Sequence, residues 1–267
     1  MPNEVCIENQ IFSPFKFNYQ MKRIKFLTAV VIAAILLFSS CKKDAVTTNL
    51  TYGASVKLGD GTAKSFVKLN ASGNPDEVGV AISETAFNSL PQSGANLVLD
   101  MPAEGAKTLY KHVFLNFLHG GHEPVGIYSF DHFDVHFYTI PSSIRESIVS
   151  PTDERMFKFP AQGLLPSTYV PAGPVPTMGM HWADSTAAEF KGQPFTSTII
   201  YGSLDGNITF HEPMVTTELM KKKTTTHNVI KQPTKFVTAG YYPNAYSVRY
   251  NEADKQYEVV LHDLTLK

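Results

Sequence analysis

"TSTIIYGSLDGNITFHEP", residues 196–213, decides the fold class. β-branched and aromatic residues fill both halves, and Asp205-Gly206 stands between them. An Asp-Gly pair accepts the left-handed backbone of a tight hairpin turn, so the stretch predicts two antiparallel strands. The same period of two recurs outward. "SFVKLN" (65–70) and "EVGVAIS" (77–83) bracket the turn-forming "ASGNPD" (71–76). "AYSVRYNEADKQYEVVLHDLTL" (245–266) predicts a further hairpin, turning near Asn251–Lys255. "LYKHVFLNFLH" (109–119) and "GIYSFDHFDVHFYTI" (126–140) have the aromatic and β-branched content of core strands. "PAQGLLPSTYVPAGPVPTMG" (160–179) carries five prolines and cannot form a central strand. Helical signals are brief: "SETAFNSL" from Ser83, "SSIRESIV" at 142–149 and "TTELMKKK" from Thr216, each with Ser or Thr placed as an N-cap. The expected architecture is a single mainly β domain over residues 53–267, a sandwich or a barrel with a few short helices.

The N-terminal region predicts where the domain resides. From Met21 the chain reads "MKRIKFLTAVVIAAILLFSSCKKD": basic Lys22, Arg23 and Lys25, an apolar run from Phe26 to Phe38, then Ser39, Ser40 and Cys41. The run is short for a permanent span and has the flanks of a secretory signal. Ser-Ser-Cys resembles a bacterial lipobox, with Phe38 standing where Leu is usual, which makes Cys41 the expected site of lipid attachment. Residues 21–41 are thus read as a lipoprotein signal peptide. Residues 1–20 are read as an upstream extension outside the native start, and 42–52 as a tether. Lys42 after Cys41, rather than Asp, favours the outer membrane of the cell envelope. The expected partner is therefore a membrane, through its lipid anchor; homo-oligomerisation and a small-molecule ligand of unspecified chemistry stay open.

Composition removes several classes. The chain has two cysteines, Cys6 and Cys41, so the body offers no disulfide, no Cys nucleophile and no zinc–thiolate site. Lys and Arg number 23 against 24 Asp and Glu, and setting aside residues 1–41 removes more basic than acidic groups. Such a balance excludes a nucleic-acid binder.

The chemistry concentrates between His119 and His136, where four histidines, one Glu and two Asp occur. On a strand, alternate residues share a face, so His132, Asp134 and His136 point one way and Phe133, Val135 and Phe137 the other. The apolar set suits a core, and the polar set then lines solvent or a polar pocket. Residues two apart lie roughly 7 Å apart and can share an ion, whereas residues four apart lie roughly 13 Å apart. With metal–ligand bonds of about 2 Å, either Asp134 pairs with one of the two histidines or a bulge brings both together. His122 and Glu123 follow the flexible Gly120-Gly121, His181 precedes the single Trp, and His211-Glu212 closes the hairpin. A helical zincin needs H-E-x-x-H, and Phe133 occupies the Glu position here. Neither a nucleophile elbow nor a glycine-rich phosphate loop is present.

Four islands, "GHEPVGIY", "HFDVHFY", "PTMGMHW" and "IYGSLDGNITFHEPM", together resemble a domain family of unknown function found in exported bacterial and fungal proteins. The resemblance spans roughly residues 50–215. It implies that His122, His132, Asp134, His136, His181 and Glu212 hold the motif positions, with His119 and His211 beside them. The family carries no established reaction, so positions are implied rather than chemistry.

Three functions remain open from the sequence. One is an envelope lipoprotein with a His/carboxylate site for zinc or another divalent ion, extending to metal-assisted hydrolysis or elimination with Asp134 or Glu123 as base. A second is a non-catalytic, self-associating binding or structural module whose histidines serve packing. The third is copper handling, because Met178, Met180 and Met214 lie beside His181 and His211. For the first, His132, Asp134, His136 and His181 are expected to converge on one pocket, completed by His122 or Glu212.

Overall fold

The computed structural model describes residues 49–267. The upstream extension, the signal peptide with Cys41 and the start of the tether lie outside the described residues. Sixteen strands occur in the order β1 (Asn49–Tyr52), β2 (Val56–Leu58), β3 (Gly61–Leu69), β4 (Pro75–Ser83), β5 (Ala95–Asp100), β6 (His112–Leu118), β7 (His132–Tyr138) and β8 (Tyr169–Val175). They continue as β9 (Gly179–Asp184), β10 (Ser197–Leu204), β11 (Asn207–Thr216), β12 (Asn228–Val229), β13 (Tyr241–Tyr242), β14 (Ala245–Asn251), β15 (Gln256–His262) and β16 (Thr265–Leu266). One antiparallel sheet runs β1-β3-β4-β15-β14-β12, with β2 pairing β3; the other runs β5-β6-β7-β11-β10-β9-β8. A small β13–β16 pair stands apart. The result is sandwich-like, without a closed barrel.

Turn chemistry placed the hairpins. Asp205 and Gly206 both take positive φ, 51° and 80°, as a two-residue turn between β10 and β11 requires. Between β3 and β4 the Asn70 carboxamide accepts from the backbone of Ser72 and Asn74, at 2.9 and 3.1 Å. Asn251 does the same for Ala253 and Asp254 where β14 turns into β15. The proline-rich segment supplies β8 at a sheet edge, where Pro171 and Pro174 need not donate to a neighbour.

Two expectations are corrected. Asn49–Tyr52 is not tether but strand β1, paired residue for residue with Phe66–Leu69. Tyr52 holds it there, its ring edge-on to Phe66 at 5.9 Å and its hydroxyl accepting from Gln256 at 3.0 Å. The short helices Glu84–Phe87 and Thr217–Lys221 are capped by the Ser83 and Thr216 hydroxyls as expected. The helix Ser142–Glu146 starts instead from Pro141, with no side-chain cap.

One apolar cluster draws on both sheets. Val67, Val78, Val80, Val259 and Leu261 meet Val113, Leu115, Phe133, Val135, Phe137 and Val215 there, all buried. Each such side chain contributes about 1.5–3 kcal/mol by leaving water. The far face of the second sheet holds a smaller cluster that includes Phe114, Tyr138, Ile200, Phe210 and Met214, with Tyr128 and Phe195 from the connecting loops. Strand β7 is therefore buried on both faces along its whole length. Among the described residues no helix is long and apolar enough to cross a membrane.

Candidate metal centre

The far face of the second sheet carries the expected polar residues. Strand alternation turns His132, Asp134 and His136 away from the sandwich core, opposite Leu118, Asn116 and Phe114 of β6. On the other flank β11 runs antiparallel, with Met214 opposite Asp134 and Phe210 opposite Tyr138. That register lays Glu212 beside His136. His181 arrives on β9, and its neighbour across the sheet is Gly202 of β10. His122 comes from the β6–β7 loop. There Gly121 takes φ 75°, and a Cβ would lie 1.9 Å from the Tyr128 carbonyl oxygen, so glycine is needed to aim the loop inward.

Six residues form two triads rather than one. Asp134 stands between His132, whose Nε2 lies 3.0 Å from Oδ1, and His122, whose Nε2 lies 3.5 Å from Oδ2. Glu212 stands between His136 at 3.3 Å and His181 at 3.6 Å, again through Nε2. Within each triad the potential ligand atoms lie within 4.8 Å of one another. His132 and His181, expected to share one ion, belong to different triads; this corrects the single-ion grouping. The separation follows from strand geometry, since His132 and His136 are four residues apart. His122 and Glu212, weighed as alternatives, complete one triad each. Both triads reach a common cavity of about 610 Å³ through His122, Asp134, His181 and Glu212.

The imidazoles share one orientation. Nδ1 of His132, His136, His181 and His122 faces the carbonyl oxygens of Phe130 (2.6 Å), Phe114 (3.3 Å), Gly179 (3.2 Å) and Glu123 (2.5 Å). A carbonyl oxygen only accepts, so each Nδ1 carries a proton and Nε2 is the nitrogen turned toward a carboxyl group. Nε2 of His132 and His136, Oδ1 of Asp134 and Oε2 of Glu212 are buried with no hydrogen-bond partner. A proton or a metal cation between the nitrogen and the oxygen would satisfy such a pair.

The charge state differs between the triads. Burial alone would raise the Asp134 carboxyl, but the flanking His122 and His132 imidazoles outweigh it and hold the group well below the usual range. The His122 ring, opposed by burial, is raised by its bond to Asp134. Burial, with the Asp134 charge second, pushes Glu212 well above the ordinary carboxylate value. Burial likewise drives His136 down to about 3 and His181 down to about 4. The first triad can thus satisfy itself with the His122 proton. In the second, one proton on Glu212 can serve a single imidazole, whereas a divalent ion would serve both rings and the carboxylate. Two nitrogens and one oxygen suit zinc or another borderline ion and leave a fourth position open.

The neighbouring candidates separate cleanly. His211 points to the opposite face, where its Nδ1 meets the Tyr110 hydroxyl at 3.0 Å in the core. His119 forms a surface pair with Asp131 at 3.1 Å. Glu123 lines the cavity and accepts from the Val125 amide at 2.8 Å, while Asp134, flanked by two imidazoles, is not placed as a free base. Met178 and Met214 line the cavity, but Met180 lies in the main core on the other side of β9. One further cluster, His227–His262–Asp263, went unforeseen in the sequence; His262 Nε2 is engaged by Ser247 at 2.7 Å and Asp263 is exposed. Only the adjacency of His262 and Asp263 hinted at it.

A family model described as TTHB210-like, hypothetical protein TTHB210, matches residues 70–117. The match runs from the β3–β4 turn to β6 and ends before His122, so it includes none of the triad residues. No curated protein and no solved structure matches the chain.

Proposed function

We propose that this chain is a lipid-anchored protein of the cell envelope whose β domain binds a divalent metal ion, zinc being the best fit to its donors. The observation that carries this is the shared orientation of the imidazoles, with Nδ1 fixed by carbonyl oxygens and Nε2 aimed at a carboxyl group. Carbonyl partners of this kind orient metal-binding histidines and raise their basicity. His136, His181 and Glu212 would hold the ion most tightly, because each is already neutral and only the Glu212 proton must leave. His122, His132 and Asp134 offer a second place. A bound ion supplies Lewis acidity at its open position; His181 and Glu212 would turn that position toward the cavity. The basic, apolar and Ser-Ser-Cys sequence at 21–41 supports attachment through Cys41.

Elemental analysis of full-length, tag-free protein purified in mild detergent tests the reading. At least one equivalent of zinc per chain should survive dialysis, and Glu212→Gln together with His181→Ala should remove the equivalent held with His136. Wild-type protein that retains no divalent metal and takes none up on titration would overturn it.

A further inference from the structure

The cavity above the triads has walls and floor of opposite character. Its walls include Leu118, Val170, Pro171, Ala183, Ile200 and Met214. Its polar side chains gather on one side, in His122, Glu123, Asp134, His181 and Glu212. A volume of about 610 Å³ falls within the range of sites that enclose small organic molecules.

What the lining lacks narrows the occupant. Among the described residues that form it there is no Lys, Arg, Ser, Thr, Asn or Gln. A sugar, nucleotide or peptide would bury hydroxyl and amide groups against the apolar walls without partners, at a cost of about 1–3 kcal/mol each. The Tyr128 hydroxyl is committed to Glu189 at 3.2 Å. Pro171 and Pro174 of β8 remove backbone N–H donors from that wall. The occupant is thus apolar over most of its surface, with polarity at one end.

The floor decides the polar end. The Asp134 carboxylate would repel an anion, and no Lys or Arg lines the cavity to offset it. With an ion on His136, His181 and Glu212, the position left open takes a lone-pair donor, and an oxygen anion is favoured by charge. Resting on the metal-binding reading above, we propose that the cavity binds a small monocarboxylic acid with an apolar body, its carboxylate on the metal ion and its body against Val170, Ala183 and Ile200. Anion binding is then conditional on the metal.

The test uses the full chain in nanodiscs, zinc-loaded and zinc-free, with empty nanodiscs subtracted. The probes are 3-phenylpropanoate, the alcohol 3-phenylpropan-1-ol, acetate and 3-phenylpropylamine, followed by calorimetry. Zinc-loaded protein should bind 3-phenylpropanoate at least tenfold tighter than acetate or the alcohol, and removing zinc should weaken it at least tenfold. Ala183→Phe should keep zinc and lose the acid. Val170→Trp, opposite Ala183 on exposed β8, gives the same readout should the buried change fail to fold. Equal binding of the acid with and without zinc, or tighter binding of the amine, overturns the proposal. Zinc content of the same samples separates the two failures: zinc held without acid binding sinks this inference alone, and no zinc sinks the metal reading with it.

Discussion

Gly202 lies directly under the ring of Phe210: a Cβ on Gly202 would stand 1.9 Å from that ring. The same ring packs 5.0 Å from His136 and 5.0 Å from His181, so a missing side chain on β10 sets the seat of two imidazoles. Gly202→Ala forces the ring to shift. It should cost about 1–3 kcal/mol, as overpacking of a filled core does. Zinc affinity should fall as well, although residue 202 has no donor. Urea unfolding and zinc titration of the variant measure both.

Glu212→Gln keeps the shape of a carboxyl group that burial already holds neutral. Metal-free stability should change by less than about 1 kcal/mol, as for a near-isosteric exchange. The stabilisation by zinc, about 2.7 kcal/mol at a hundredfold excess over Kd, should vanish. Thermal unfolding with and without zinc separates the two effects, and an unchanged zinc response would remove Glu212 from the ligand set.

Acid sensitivity should persist without metal. His112 faces the Arg145 guanidinium at 3.2 Å and His211 is enclosed beside Tyr110. Burial lowers both to about 4, with the Arg145 charge adding to the effect at His112. Their folded values lie below the unfolded value of about 6.5, so the unfolded chain binds more protons between the two. Stability is complete above about pH 6.5 and is lost as the pH falls toward 4. Denaturation midpoints of metal-free protein at pH 7, 5.5 and 4.5 should decline in that order, and His211→Gln should flatten the decline.

Cys41→Ala should release the protein from membranes without altering the β-sheet circular dichroism of the domain. Fractionation after a high-salt wash decides it; a variant that still sediments with membrane is anchored by something other than Cys41.

The hairpins were legible because their turns are written locally: Asp205-Gly206, Asn70 and Asn251 each act within a few residues of themselves. Strand β1 was not, because "NLTY" is short and half exposed, and its reason to be a strand is the distant pair of Phe66 and Gln256. The outward set on β7 was readable from alternation, as was the separation of His132 from His136. Which carboxyl group each histidine meets was not, since Glu212 reaches His136 through the β7–β11 register and His122 arrives by way of Gly121. The cavity left no sequence signature, because its walls come from an edge strand, five interior strands and the segments that connect them.

Strand β7 is buried on both faces, apolar on one and His-Asp-His on the other. A slip of one residue against β6 or β11 would exchange Phe133, Val135 and Phe137 for His132, Asp134 and His136 throughout. It would press an ionised carboxylate into the aliphatic core and set phenyl rings over the glutamate. Neither face tolerates the other's side chains, so the sheet has a single admissible alignment. The residues that make the site are also the ones that stop the strand from sliding.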